Sequence, residues 1–141
     1  MVKRFVVGSF SANCYVVSCR DTKQAVVIDP GFGSAQEAKE IFAFIERSEL
    51  KIKFIIDTHG HPDHSCGNGV LKYRFNVPIC IHKDDAYMLG EQGKDTYRYF
   101  GFDSTSPPAD ILLSDGQYIK FGDVTLKVLH TPGHSQGSIS L

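Results

Sequence analysis

Tryptophan is absent from this 141-residue chain, and no apolar run approaches the ~18 residues of a membrane-spanning helix. Nor does charge of one sign dominate. Fifteen Lys and Arg stand against sixteen Asp and Glu, a net charge of −1, with no basic run to recognise nucleic acid. Residues 1–15 carry two basic side chains but only short apolar patches broken by Gly and polar groups, a poor signal peptide. The four cysteines, Cys14, Cys19, Cys66 and Cys80, contain no C-x-x-C pair, so free thiols in a reducing cytoplasm are expected. Internal repeats and Pro/Ser-rich linkers are also missing. A single domain over residues 1–141 is the expected organisation, and 42% hydrophobic residues suffice for its core.

The patterns that are present alternate between strand and helix. Phe5–Val7, Cys14–Ser18 and Ala25–Asp29 read as strands, the last ending in Asp29-Pro30-Gly31, which must leave the sheet. A helix follows from Ser34 or Ala35 to about Ser48, with Ala38, Ile41, Phe42 and Ile45 at three- and four-residue spacing. Ile52–Asp57 predicts a strand, Cys66–Phe75 a helix, Val77–His82 a buried strand and Asp84–Leu89 a short helix. The succession predicts an α/β fold, a mixed sheet with helices packed outside. Between Gly90 and Ala109 periodicity fades among aromatics and turn formers, a pattern read equally as a lid over a pocket or as a surface excursion docked on the core. Strands resume at Ile111–Leu113, Tyr118–Phe121 and Val124–His130. The final GSISL begins another alternation and stops in mid-strand, so a chain cut short at its carboxyl end is expected.

Chemistry concentrates in Thr58-His59-Gly60-His61-Pro62-Asp63-His64, three of the six histidines and a carboxylate in six positions. A chance H-x-H-x-D-H in this composition has odds on the order of 10⁻³. The strand before it delivers these residues to the carboxyl edge of the sheet, where ligands bind in open α/β folds. Extended backbone sends His59 and His61 to one side, and Pro62 then turns Asp63 and His64 to a helix start. Imidazole and carboxylate are good ligands for Zn²⁺ and similar first-row metals, and two groups facing each way can serve two ions. A third ligand to the first ion is expected from LHTPGHSQGS. His134, after Pro132-Gly133, is preferred over His130, which ends an apolar run and reads as a buried, backbone-bonded histidine. Joining His61 to His134 closes a loop of about 73 residues, a cost of roughly 4 kcal/mol that a fraction of the ~10–16 kcal/mol of zinc binding offsets. Cys66 reads as a small packed helical residue, His82 as structural or at a pocket rim, and Lys83 and Arg98 as solvated surface charge.

THGHPDHSCG, preceded by VVIDPG and followed by LHTPGHSQGSISL, resembles the metallo-β-lactamase superfamily, in particular its small glyoxalase II-like (hydroxyacylglutathione hydrolase-like) hydrolases. The resemblance implies the amino-terminal two-thirds of an αββα sandwich. It implies that His59, His61 and His134 hold a first metal, that Asp63 and His64 help hold a second, and that Asp29 accepts hydrogen bonds that steady the ligand loop. It further implies one or two zinc ions, with iron or manganese as alternatives. A metal-activated water would attack a small thioester or related acyl substrate, with Asp63 orienting that water and taking its proton. A bridging Asp and a last His of the family have no counterpart before Leu141. Two alternatives therefore stand beside the hydrolase: a mononuclear-iron persulfide dioxygenase-like enzyme, and an inactive metal-binding fragment prone to self-association. No nucleic-acid or membrane partner is expected.

Overall fold

The computed structural model describes residues 1–141. Strands β1 (Val2–Val7), β2 (Ala12–Ser18) and β3 (Gln24–Ile28) form an antiparallel meander. β2 buries Ala12, Cys14, Val16 and Ser18 at period two. The chain then crosses through α1 (Ala35–Arg47) to β4 (Lys51–Ile56), which pairs parallel with β3. β5 (Ile79–His82) and β6 (Ile111–Leu113) extend the sheet in parallel, in the order β1-β2-β3-β4-β5-β6. Ile55, Ile56, Ile79, Cys80 and Ile81 are all buried, as in parallel central strands covered on both faces.

The helices cover one face. In α1, Ser34 Oγ caps the helix by accepting from the Glu37 amide at 3.2 Å, and Ala38, Ile41 and Ile45 turn into the core. That core also takes in Val16, Val27, Phe32, Leu71 and Leu89. A smaller core on the opposite face joins Val26, Ile28, Ile56 and Leu113 to Ile119, Phe121, Val128 and Ile139. It packs under two short hairpin sheets, β7 (Tyr118–Phe121) with β8 (Val124–Lys127) and β9 (Leu129–His130) with β10 (Ile139–Ser140).

Three elements differ from the sequence reading. The helix expected over Cys66–Phe75 begins later, as α3 (Asn68–Phe75), and a separate helical turn, α2 (Pro62–Ser65), precedes it. They break at Gly67, whose amide donates to Pro30 O and where a Cβ would lie 2.3 Å from that oxygen. The segment after Gly90 holds a helix, α4 (Gly90–Tyr99), whose inward residues include Gly93 and Tyr97, too sparse an apolar face to register as periodic. The apolar run to His130 divides into β8 and β9, because Val128 donates to Gln117 O and accepts from Gly116, outside either hairpin.

Candidate metal centre

β4 ends at Ile56, and the next eight residues leave the carboxyl edge of the sheet beside the end of β3. Asp29, just past β3, adopts φ 51°, a left-handed conformation that aspartate tolerates. Its carboxylate thereby reaches across to Thr58: Oδ1 accepts from the Thr58 amide and Oδ2 from the Thr58 hydroxyl, both at 2.7 Å. The Thr58 hydroxyl hydrogen is thus committed to Asp29. Toward His59 Nδ1, 3.2 Å away, Oγ1 can only accept, so Nδ1 carries the proton and Nε2 the lone pair. That Nε2 is buried and has no protein partner.

Around it stand the other imidazoles. The His59, His61 and His134 rings lie 4.6 to 4.8 Å apart between centroids, and their ligand atoms fall within 4.8 Å of one another. His61 Nδ1 faces His134 Nε2 at 2.9 Å, although 73 residues separate them. Burial, followed by the neighbouring His64, lowers the pKa of His59 to about 4, and burial with His134 lowers that of His61. Both are neutral near pH 7, the form in which imidazole binds metal. An unpartnered buried nitrogen facing two other imidazoles fits a divalent cation.

His64 and Asp63 flank this group on α2. His64 Nδ1 is 3.2 Å from Asp29 Oδ2 and its Nε2 is 3.4 Å from Asp63 Oδ2. Burial opposes its charge, but hydrogen bonding and attraction to Asp29, then attraction to Asp63, prevail and raise its pKa. The Asp63 side chain remains 28% exposed. Gly31 is required beside them: a Cβ there would sit 1.7 Å from Asp63 O.

His130 does not join the cluster. It bonds the backbone as expected, Nε2 to Gln136 O at 2.8 Å, but is half-buried rather than buried. It stacks on His82 at 4.1 Å with 14° between planes. His82, His130 and Asp84 bring ligand atoms within 4.8 Å, but stacked rings aim their in-plane lone pairs alongside each other rather than at one point. Cys66 is buried at the carboxyl end of α2, bonds Phe32 O at 3.4 Å, and burial first raises its thiol to about 12. It is no thiolate ligand. Lys83 and Arg98 lie in loose surface contacts with Asp84 and Asp95.

Sequence reasoning missed Asp85, fully buried behind the cluster, and Tyr97, whose hydroxyl is 2.5 Å from Ser65 Oγ, which in turn donates to His61 O. An aspartate next to Asp84 in a Lys-Asp-Asp turn looks like surface charge, and nothing local marks it as buried. A cavity of about 710 Å³ beside α1 and α3 is lined by Phe32, Phe42 and Val70 among others and does not include the three imidazoles. His61 and His134 instead face an open recess of about 360 Å³ with Tyr87 and Met88. We take the recess as the functional one, because an ion can be held only where its ligands converge.

The profile of the Metallo-beta-lactamase superfamily matches residues 7–141. The chain belongs to this superfamily. Among superfamily relatives, it is similar to an uncharacterized protein of Aquifex aeolicus, 34% identical over 137 residues, covering 97% of this chain and 62% of that protein. It is also similar to hydroxyacylglutathione hydrolase GloC of Haemophilus influenzae, 32% identical over 139 residues, covering 94% of this chain and 61% of GloC. A crystal structure of the BLEG-1 B3 metallo-beta-lactamase superposes with a TM-score of 0.82 at 32% identity, covering 99% of this chain and 65% of that one. The chain thus spans less than two thirds of the relatives it matches. The metallo-beta-lactamase fold is the α/β arrangement expected, and it implies divalent-metal binding.

Proposed function

We propose that this chain carries a metal-dependent hydrolase site for a thioester or related acyl substrate, with His59, His61 and His134 holding the first ion and Asp63 and His64 offered to a second. The observation that carries the reading is the unpartnered, buried Nε2 of His59 beside His61 and His134. A bound divalent ion, zinc by expectation with iron or manganese as alternatives, supplies a Lewis acid and lowers the pKa of a water toward 7.

The chain's own residues supply the rest. Asp29, through Thr58, holds His59 in the tautomer whose lone pair points inward. His59 and His61 are neutral and so compete for no proton near pH 7. The partly exposed Asp63 carboxylate orients a water and takes its proton at Oδ2. The open recess beside His61 and His134 leaves room for an acyl carbonyl. The name of GloC, hydroxyacylglutathione hydrolase, supports this substrate class, and a cytoplasmic setting is part of the proposal. Residues 1–141 act as one domain in this reading.

The test is metal analysis of the purified protein followed by a screen against thioesters, a glutathione thioester included. Zinc uptake with thioester cleavage supports the reading, whereas a single iron and no hydrolysis supports oxygen chemistry instead. Substituting His61→Ala should lower retained metal after dialysis by at least tenfold. Unchanged metal content in that variant overturns the ligand assignment.

A further inference from the structure

Two loops from distant parts of the chain must meet at the imidazole cluster, one carrying His59 and His61, the other His134. Their union rests on a third segment, the turn that follows β5. Asp85 lies in this turn, its amide bonded to His82 O at 3.0 Å, and its side chain is fully buried. Oδ2 accepts from the Gly60 amide at 3.1 Å and from the Ser135 hydroxyl at 2.6 Å, while Oδ1 accepts from the Gly137 amide at 2.6 Å. Gly60 stands between His59 and His61, and Ser135 directly follows His134. One carboxylate therefore grips both ligand loops at the residues adjoining the ligands.

Packing around Asp85 shows the same fit. A Cβ at Gly137 would fall 2.6 to 2.8 Å from Asp85 N, Cγ and Cβ, and one at Gly60 would fall 2.5 Å from Met88 Cβ and 3.0 Å from Asp85 O. Both loops thus approach the turn as closely as backbone allows. A second contact joins the same partners: the His82 ring, at the start of the turn, stacks on His130, at the start of the His134 loop. A buried carboxylate is costly without donors. Here three donors converge, and charge-assisted bonds of this length are the strong kind.

We propose that Asp85 is the positioning residue of the first metal site, clamping the two ligand loops together so that the three imidazoles are already assembled before an ion arrives. This rests on the ligand assignment proposed above. The clamp spares the ion the work of drawing together segments 73 residues apart, so removing it should appear as lost metal affinity rather than as altered chemistry.

The test compares wild type, Asp85→Asn and Ser135→Ala. The asparagine keeps the shape but turns one acceptor into a donor facing N–H or O–H groups. The alanine removes one of the three donors to Asp85 together with the acceptor 2.7 Å from the half-buried Ser138 hydroxyl, and leaves both backbone donors to the carboxylate in place. Zinc affinity is read by competition with a chromophoric chelator, ligand geometry by the visible spectrum of the cobalt-loaded protein, and the clamp itself by amide hydrogen exchange at Gly60 and Gly137 in the metal-free chain.

We expect Asp85→Asn to weaken zinc binding about 10- to 100-fold, with a shifted cobalt spectrum, and Ser135→Ala to do so by less. The Gly60 and Gly137 amides should be protected in the wild type and exchange faster in Asp85→Asn. Should Asp85→Asn fail to fold, Ser135→Ala carries the comparison alone. Zinc affinity and cobalt spectrum unchanged in every variant that folds would reduce Asp85 to a strut of the fold and overturn the proposal. Fast exchange of both amides in the wild type overturns the clamp whatever the metal does. A wild-type chain with protected amides that takes up no zinc overturns the ligand assignment, and with it the role given to the clamp.

Discussion

At the scale of single residues, the cluster holds imidazoles of opposite tendency within van der Waals reach. His59, its pKa lowered chiefly by burial to about 4, resists protonation, whereas His64, beside Asp29 and Asp63, welcomes it. In an unfolded chain each titrates near 6.5. The unfolded state therefore takes up a proton at His59 before the folded state does, and His59 contributes stability that is present above about pH 6.5 and lost as pH falls toward 4. His64 runs the other way: its contribution is present below 6.5 and lost as pH rises through its raised folded value. NMR titration of the imidazoles in the metal-free chain should give a His59 midpoint near 4 and a His64 midpoint above that of free histidine. A His59 midpoint at 6 or higher would contradict the burial on which its neutral state depends. The identity of the cluster was legible in the sequence, since H-x-H-x-D-H and the His134 turn are local patterns. The resemblance implied that Asp29 accepts hydrogen bonds from the ligand loop; that it does so at Thr58, and thereby fixes the His59 tautomer, was not legible, because Asp29 arrives from a different strand.

At the scale of elements, the site is held by backbone contacts that only small residues permit. The loop after β3 presses Gly31 against Asp63 O, with no room for a methyl group. Substituting Gly31→Ala must push that loop off α2, and should cost about 3 kcal/mol in urea unfolding of the metal-free chain while loosening Asp63 and His64. Substituting Gly33→Ala, two residues on, meets nothing within 4 Å and serves as the control, with a change within about 0.5 kcal/mol. Strands and α1 were readable because their apolar periods are clean. The α2–α3 break and α4 were not. The first is imposed by Phe32 and Pro30 crowding Gly67, and the second buries Tyr97 on an otherwise polar helix. Both are tertiary effects without a local signature.

At the scale of the whole molecule, the six-stranded sheet is covered well on its helical face and sparsely on the other. The helical core gathers 17 buried residues and the opposite one nine, roofed only by two short hairpins. Leu112 on the edge strand β6, Tyr118 on β7 and Leu129 on β9 are 45 to 59% exposed. The other edge, β1, carries Lys3 and Arg4, charges that discourage pairing, but β6 is the run Ile111-Leu112-Leu113 with none. We expect this chain to associate as its concentration rises, with a weight-average mass in sedimentation equilibrium above 15.6 kDa, and Leu112→Lys to reduce that association. A monomer at all concentrations would show that the exposed strand is short enough to be harmless. The fold class was legible from the strand–helix alternation. The resemblance implied an incomplete sandwich prone to self-association, but which side chains the two short hairpins leave half-exposed was not legible, because such hairpins read much like any others.

The left-handed backbone at Asp29 has one last consequence. Few side chains sit comfortably at φ 51°, and asparagine, nearly the same size as aspartate, is among them. A swap between these two leaves the main chain at ease while erasing a negative charge that both Thr58 and His64 lean on. At this position, charge can be removed without a change of shape and without straining the left-handed main chain.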